Sequence, residues 1–174
     1  PQAHITLIGL PWAQVLLHRY PHYFDAFLHF PGYPGLPEQT FDQDEYDIFL
    51  KKVQLLKFDL IFQLQGNGSI VNQMIRTFGA KIIAGYIPGP QTLQANELMM
   101  IYPNEGHEVL RHLKLMSFLD IPAQGSELEF PLYDSDRNEF EKLRLPVIPE
   151  KYVCIHPGSR GNWRQWPALY FAAL

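Results

Sequence analysis

The chain has 174 residues, with 14 Lys and Arg against 18 Asp and Glu for a formal net charge of −4 at pH 7, a balance that gives no electrostatic reason to expect nucleic acid as a partner. Apolar residues make up 47% of it and charged residues 18%, below the roughly 25% charged of an average soluble domain, so disorder as the main state is excluded and a sizeable core is implied. The one cysteine, Cys154, excludes an internal disulfide framework and a cysteine-rich zinc site and fits a cytosolic protein, and no apolar run approaches the roughly 18 residues of a membrane span.

Short apolar runs alternate with longer segments of helical period, the pattern of an α/β domain with a mainly parallel sheet and flanking helices. Strands are expected over 5–8, 26–30, 59–64, 81–84 and 152–156. Pro11 to Arg19 reads as a short helix with Pro in its first turn, closed by Pro21. Over 41–57, Tyr46, Phe49, Leu50, Val53 and Leu56 fall on one helical stripe, and Asp42, Asp44 and Glu45 sit where carboxylates suit the helix dipole. Residues 70–78 form another helical stretch, ended by Gly79 as a left-handed cap. Over 107–119, Val109, Leu113, Met116 and Leu119 make a stripe, with Asn104 as the expected cap and Pro122 beyond the stop.

Two regions break the alternation. Residues 30–39 carry three prolines and two glycines, so they form a loop, which reads equally as a rigid connector or, through Tyr33 and Leu36, as the wall of a ligand cleft. Residues 125–150, with Pro131, Pro146 and Pro149, read as a short amphipathic piece and a linker. The domains are expected at 1–146 and 147–174. The chain opens at Pro1 almost directly into a strand, and the helical pattern over 167–174 stops without a cap, so the sequence reads as a fragment of a longer protein.

Two segments carry candidate chemistry. In the run from Tyr152 to Pro167 a strand leads into a loop holding Gly158, Ser159, Arg160 and Arg164, and then into a helix opened by Pro167. Backbone N–H groups at that position suit phosphate, and two guanidinium groups add charge-assisted donors for a diphosphate. A solvated loop with two surface arginines is the alternative reading, and the run is neither a P-loop nor a dinucleotide fingerprint. In the second segment, 58–72, Gln65, Asn67, Ser69 and Asn72 surround Gly66 and Gly68 after a strand. They offer neutral donors and acceptors suited to sugar hydroxyls, while turn chemistry and a helix cap explain Gly66, Gly68 and Ser69 without a ligand; the ligand role is the reading preferred for Gln65 and the cap for Ser69.

Together these segments resemble a known family. His156-Pro157-Gly158-Ser159-Arg160 followed by Arg164-Gln165-Trp166-Pro167 is similar to the "HPG…(K/R)xWP" segment that opens the second domain of glycosyltransferase family 9, the ADP-heptose:lipopolysaccharide heptosyltransferases. Asp59 to Gly66 resembles that family's "DLxxDxQG", His107-Glu108-Val109 its "HEV" helix, and Pro1 to Leu7 its second strand. The resemblance implies a GT-B fold of two Rossmann-like domains, with this chain forming the acceptor-side domain without its first strand and helix, plus the start of the nucleotide-sugar domain. It implies an inverting, metal-independent transferase with no cofactor beyond its nucleotide-sugar donor, possible substrates being ADP-heptose and a lipopolysaccharide-type or other glycan acceptor. Arg164 would stabilise the departing diphosphate, Gly158, Ser159 and Arg160 would hold the donor phosphates, and Gln65, Gly66 and Asn67 would hold the acceptor. The general-base Asp would lie on a loop outside this chain, so the 174 residues alone are expected to be inactive. The resemblance places the protein in the cytoplasm, at the inner face of the membrane if its acceptor is lipid-linked. Arg164 stands where the family often has Lys, and no basic residue follows the Gln65-Gly66 turn, which argues against a strongly anionic acceptor.

The rival is another doubly wound nucleotide-binding domain, of an oxidoreductase or a non-catalytic regulator; it needs a G-x-G-x-x-G turn that this sequence lacks. Metal binding is not expected: His18 with His22 and His107 with His112 have no carboxylate in an H-E-x-x-H pattern. Cys154 reads as a small buried hydrophobe, the acidic group at 42–47 as a solvated helix start, and Trp166 as packing for its helix.

Overall fold

The computed structural model describes residues 3–143, 153, 155, 156, 158, 159 and 164–173. It is mixed α/β, with parallel strands in small sheets flanked by helices, a Rossmann-like arrangement. The chain divides into two compact units, Pro1–Pro131 and Leu132–Leu174. The expected boundary at 146/147 lies outside the described residues.

In the first unit, β1 (Thr6–Gly9) pairs in parallel with β2 (Ala26–His29). A second sheet of order β3 (Leu60–Phe62), β4 (Ile82–Ile87) and β5 (Glu97–Ile101) is parallel throughout. Between β1 and β2 the chain makes a 3-10 turn, Pro11–Gln14, that runs into α1 (Val15–Arg19). Pro in the first turn costs no hydrogen bond there. Then α2 (Gln43–Leu56) joins β2 to β3, starting at Asp42, whose carboxylate accepts from the Glu45 N–H at 3.0 Å, and ending at Lys57 with φ 49°. Of its expected stripe, Tyr46, Phe49 and Val53 enter the core and Leu50 packs at its margin, whereas Leu56, in the last turn, is exposed. The next helix, α3 (Val71–Arg76), leads through Gly79 at φ 75° into β4. After β5 comes α4 (Glu108–Phe118), capped by His107, whose Nδ1 accepts from the Val109 N–H, and not by Asn104. Asn104 lies too far upstream of the first helical N–H groups; its carbonyl accepts from Arg111 instead.

The core is one cluster in which Leu28 of β2 and Ile61, Ile83 and Ile87 of the second sheet meet α2 and α3. The loop at 30–39 is packed onto it. Pro31 and Gly32 are buried, Leu36 lies against the cluster, and Tyr33 meets the rings of Phe41 and Tyr46. That packing gives the loop a structural use, as a connector.

β5 was not foreseen from the sequence. It opens on Glu97, a buried charged residue in an edge strand, and its burial is made tolerable by Arg76, whose Nε and a terminal nitrogen donate to the two carboxylate oxygens at 2.6 and 3.2 Å. The Gln94 N–H adds a third bond at 2.8 Å. With these donors Arg76 holds the Glu97 carboxyl below its ordinary range despite the opposing cost of burial. The last residues of the unit return to α1, where the Arg19 guanidinium donates to the Pro131 carbonyl and lies over the Phe130 ring, and the Tyr20 hydroxyl donates to the Glu129 carbonyl.

In the second unit, α5 (Asp134–Lys142) is the amphipathic piece expected within 125–150, begun by the Asp136 carboxylate accepting from the Tyr133 N–H at 2.8 Å. After it comes α6 (Ala168–Phe171), opened by Pro167. Of the strand expected over 152–156, Tyr152 and Cys154 lie outside the described residues, and Val153, Ile155 and His156 carry no strand pairing. A strand needs a partner to bond to, and the described residues of this unit include none.

Candidate functional site

In parallel α/β sheets the crevice beyond the carboxyl ends of the strands is where ligands bind, because loops and helix starts converge there. Gln65, Gly66 and Asn67 occupy that position after β3. The turn is set from below. β4 runs on to Ile87 while β3 stops at Phe62, so the N–H and C=O of Tyr86 face a place where no β3 backbone remains to bond them. Two side-chain amides take over the ladder: Gln63 Oε1 accepts from the Tyr86 N–H at 3.1 Å, and Asn72 Nδ2 donates to the Tyr86 carbonyl at 2.8 Å. The other end of the Gln63 amide donates to the Gln65 carbonyl, fixing the turn itself.

Both amides are buried, Gln63 at 2% exposure and Asn72 at 4%. They fit because two glycines make room: a Cβ on Gly85 would stand 2.7 Å from Gln63 Cβ, and one on Gly68 would stand 2.4 Å from the Tyr86 carbonyl oxygen. Gly68 also has φ 78°, where side chains are disfavoured. The Nδ2 of Asn72 is therefore spent on the fold, while its buried Oδ1 has no hydrogen-bond partner among the described residues. Asn67 Oδ1 accepts from the Ser69 N–H at 3.1 Å, the turn role foreseen as the alternative for this segment. The Gln65 side chain is exposed, Gly66 adopts φ 54°, and Asn67 is half-buried, so these three line the open side of the turn.

Gln63 was missed as a site residue. Its signal was phase: it alternates in step with Ile61, on the side of the strand that faces the core, and a buried amide on a strand must find backbone to bond. At the carboxyl end of β4 and β5, Tyr86 donates its hydroxyl to the Arg111 carbonyl at 2.8 Å and packs edge-on against Tyr102 at 5.1 Å. Burial pushes its phenol up to about 12. Arg111 in turn donates to Tyr102, Glu108 and the Asn104 carbonyl, a network that braces the rim.

The donor-side candidates lie in the second unit. Arg160 lies outside the described residues. Gly158 is exposed with open space around it, the Ser159 carbonyl accepts from Gln165 Nε2 at 2.6 Å, and Arg164 is exposed. Trp166 packs on its own helix, against Tyr170 and edge-on to Phe171 at 4.8 Å, as expected. Among the described residues no group of three or more His, Cys, Asp and Glu stands together as a metal site, and no helix is long and apolar enough to cross a membrane. The histidines once paired by spacing have other neighbours: His22 faces Glu129 at 3.7 Å, and His112 lies between Glu108 and the Tyr86 hydroxyl.

No family model, curated protein or solved structure matches this chain.

Proposed function

We propose that the chain is part of a nucleotide-sugar-dependent glycosyltransferase similar to family 9, and that the turn after β3 holds the acceptor. The observation that carries the reading is the exposed polar turn of Gln65, Gly66 and Asn67 at the carboxyl end of a parallel strand, locked by Gln63 and Asn72 so that its outward groups are held in place without a ligand. A preorganised rim of neutral donors and acceptors suits a sugar better than a phosphate. Support for the donor side comes from sequence alone, in the run His156 to Pro167 with its two arginines.

In this reading Gly158, Ser159 and Arg160 hold the donor phosphates, and Arg164 stabilises the negative charge that builds on the leaving diphosphate as the glycosidic bond forms. A heptose on ADP as donor and a lipopolysaccharide-type glycan as acceptor are the first substrates to try. The test is Arg164→Ala in the full-length polypeptide, assayed with ADP-heptose. Turnover should fall about a hundredfold, the usual cost of removing one transition-state donor, with the thermal unfolding midpoint unchanged. Undiminished turnover, or sugar transfer by the 174 residues alone, would overturn the reading.

A further inference from the structure

The segments that leave the carboxyl ends of the five strands of the first unit gather at one edge. β1 and β2 end side by side, with Gly9 opposite His29 and the Phe30 N–H donating to the Gly9 carbonyl at 2.8 Å. The loop that leaves β2 then reaches the segment after β3, since a Cβ on Gly35 would meet Ile70 at 3.3 Å. β4 and β5 run parallel to β3 in one sheet, so their carboxyl ends lie on the same side. The turn of Gln65, Gly66 and Asn67 is therefore one part of a longer rim, to which the segments after β1 and β2 also belong.

An aromatic ring stands bare on the segment after β1. The Pro11–Gln14 turn is pinned through Ala13, which is buried, whose N–H donates to the Leu10 carbonyl at 2.8 Å, and whose Cβ lies 3.1 Å from the place a Cβ on Gly9 would take. Trp12, one residue earlier, is 70% exposed. Phe130 is equally exposed, but its ring lies under the Arg19 guanidinium at 5.0 Å. A large flat ring on a pinned turn, at the edge where α/β sheets bind their ligands, is suited to stacking.

The rest of the rim narrows what would stack there. The segments 10–14, 30–41, 63–70, 88–92 and 102–107 contain no Lys or Arg, and two acidic residues, Glu38 and Glu105. Arg111, which reaches the last of them from α4, is paired with Glu108 at 2.7 Å. What the rim offers instead is amide: Gln14, Gln65 and Gln91 are exposed, and Gln39 and Asn67 are half-buried. Amides and an indole match hydroxyls and C–H faces, the two surfaces of a sugar ring, and bring no charge to offset the desolvation of a phosphate or carboxylate.

We propose, building on the glycosyltransferase reading and resting on it, that Trp12 stacks on a sugar ring of the acceptor and that this acceptor is an uncharged glycan. The turn after β3 then holds hydroxyls of the same glycan, while the indole selects ring faces that present C–H groups.

Glycan binding by the full-length polypeptide, with no donor present, tests this. The probes are an immobilised panel of neutral hexose and heptose oligosaccharides, and a second panel of oligosaccharides bearing acidic sugars or phosphate. Neutral members should bind and acidic ones should not. Trp12→Ala should weaken binding at least about tenfold, the size of one good aromatic contact, and Trp12→Leu should weaken it nearly as much, whereas Trp12→Phe should retain most of it. The unfolding midpoint should stay in place in all three, because the side chain is exposed. Arg164→Ala, on the donor side, should bind the panel as the wild type does. Binding confined to acidic glycans, or neutral binding that Trp12→Ala leaves unchanged, would overturn the proposal and leave the glycosyltransferase reading standing. A wild type that binds no glycan would overturn both.

Discussion

The two faces of the β3–β4–β5 sheet are built from the same three strands, and they differ in what covers them. On one face Ile61, Ile83, Ile87 and Met99 are sealed beneath α2 and α3. On the other, Leu60, Phe62, Ile82 and Leu98 are 38 to 47% exposed, while Ala84 and Tyr86 on the same side are fully buried. The second face is thus closed at its carboxyl end, where the Tyr86 hydroxyl reaches α4, and open at its amino end. Alternation along a strand tells which residues can be buried together; the helices that cross over decide which of them are. Here the closed part lies next to the turn that carries the candidate site.

The largest contrast between the faces comes from paired truncations. Phe78→Ala, at a 2% exposed position in the sealed core, should cost about 4 kcal/mol in chemical denaturation. Phe62→Ala, on the bare face of the same sheet, should cost under about 1 kcal/mol; equal costs would mean that the bare face is covered in solution.

Arg76→Ala sharpens the comparison at the sealed edge, because it strands the fully buried Glu97 carboxylate, and should cost about 3 kcal/mol at neutral pH. The sign with pH follows from the direction of the shift. Glu97 is held below its ordinary 4.5, so the stability it contributes is present above that value and is lost as pH falls through the lower folded value. The gap between wild type and variant should therefore be widest above pH 4.5 and narrow in acid.

Gly85→Ala should cost about 2 kcal/mol, since its Cβ would press on the Gln63 backbone and side chain, and the loss should appear as faster exchange around residues 63–68. The smallest effect is spectroscopic. Tyr86 should resist ionisation until about pH 12, read as a late phase in ultraviolet difference spectra that Tyr86→Phe removes. Because its folded value is raised, the stability tied to its protonated form is intact below pH 10 and lost as pH climbs through 12.

Much of this fold was written locally. α2 was legible because its cap, its acidic first turn and its stripe agree. The first four strands, the loop at 30–39 and the span of the helix at 108–118 were legible from local pattern too, although the fully buried residue of that helix is Leu115, off the expected stripe. β5 was not, because a strand that begins with Glu97 looks exposed until Arg76, 21 residues earlier, is brought beside it. Capping of α4 by His107 was missed because imidazole is an uncommon cap, whereas Asn104 is of the preferred type. At the site, Gln65, Gly66 and Asn67 were read from composition around a strand end. Gln63 was passed over because its partner, the backbone of Tyr86, is 23 residues away and becomes available only where β4 outruns β3.

The amide ladder of Gln63 and Asn72 also separates what the turn must keep from what it can change. Most of what holds its path is underneath and made of four positions, Gln63, Gly68, Asn72 and Gly85. Of the outward residues, Asn67 accepts from the Ser69 N–H two residues on and Gly66 holds φ 54°, whereas the exposed Gln65 side chain contributes little to holding the chain in place. A population of descendants could therefore exchange Gln65 for other side chains, and with it the molecule recognised, at almost no cost in stability. The same division makes this turn a sound place to begin a randomised library.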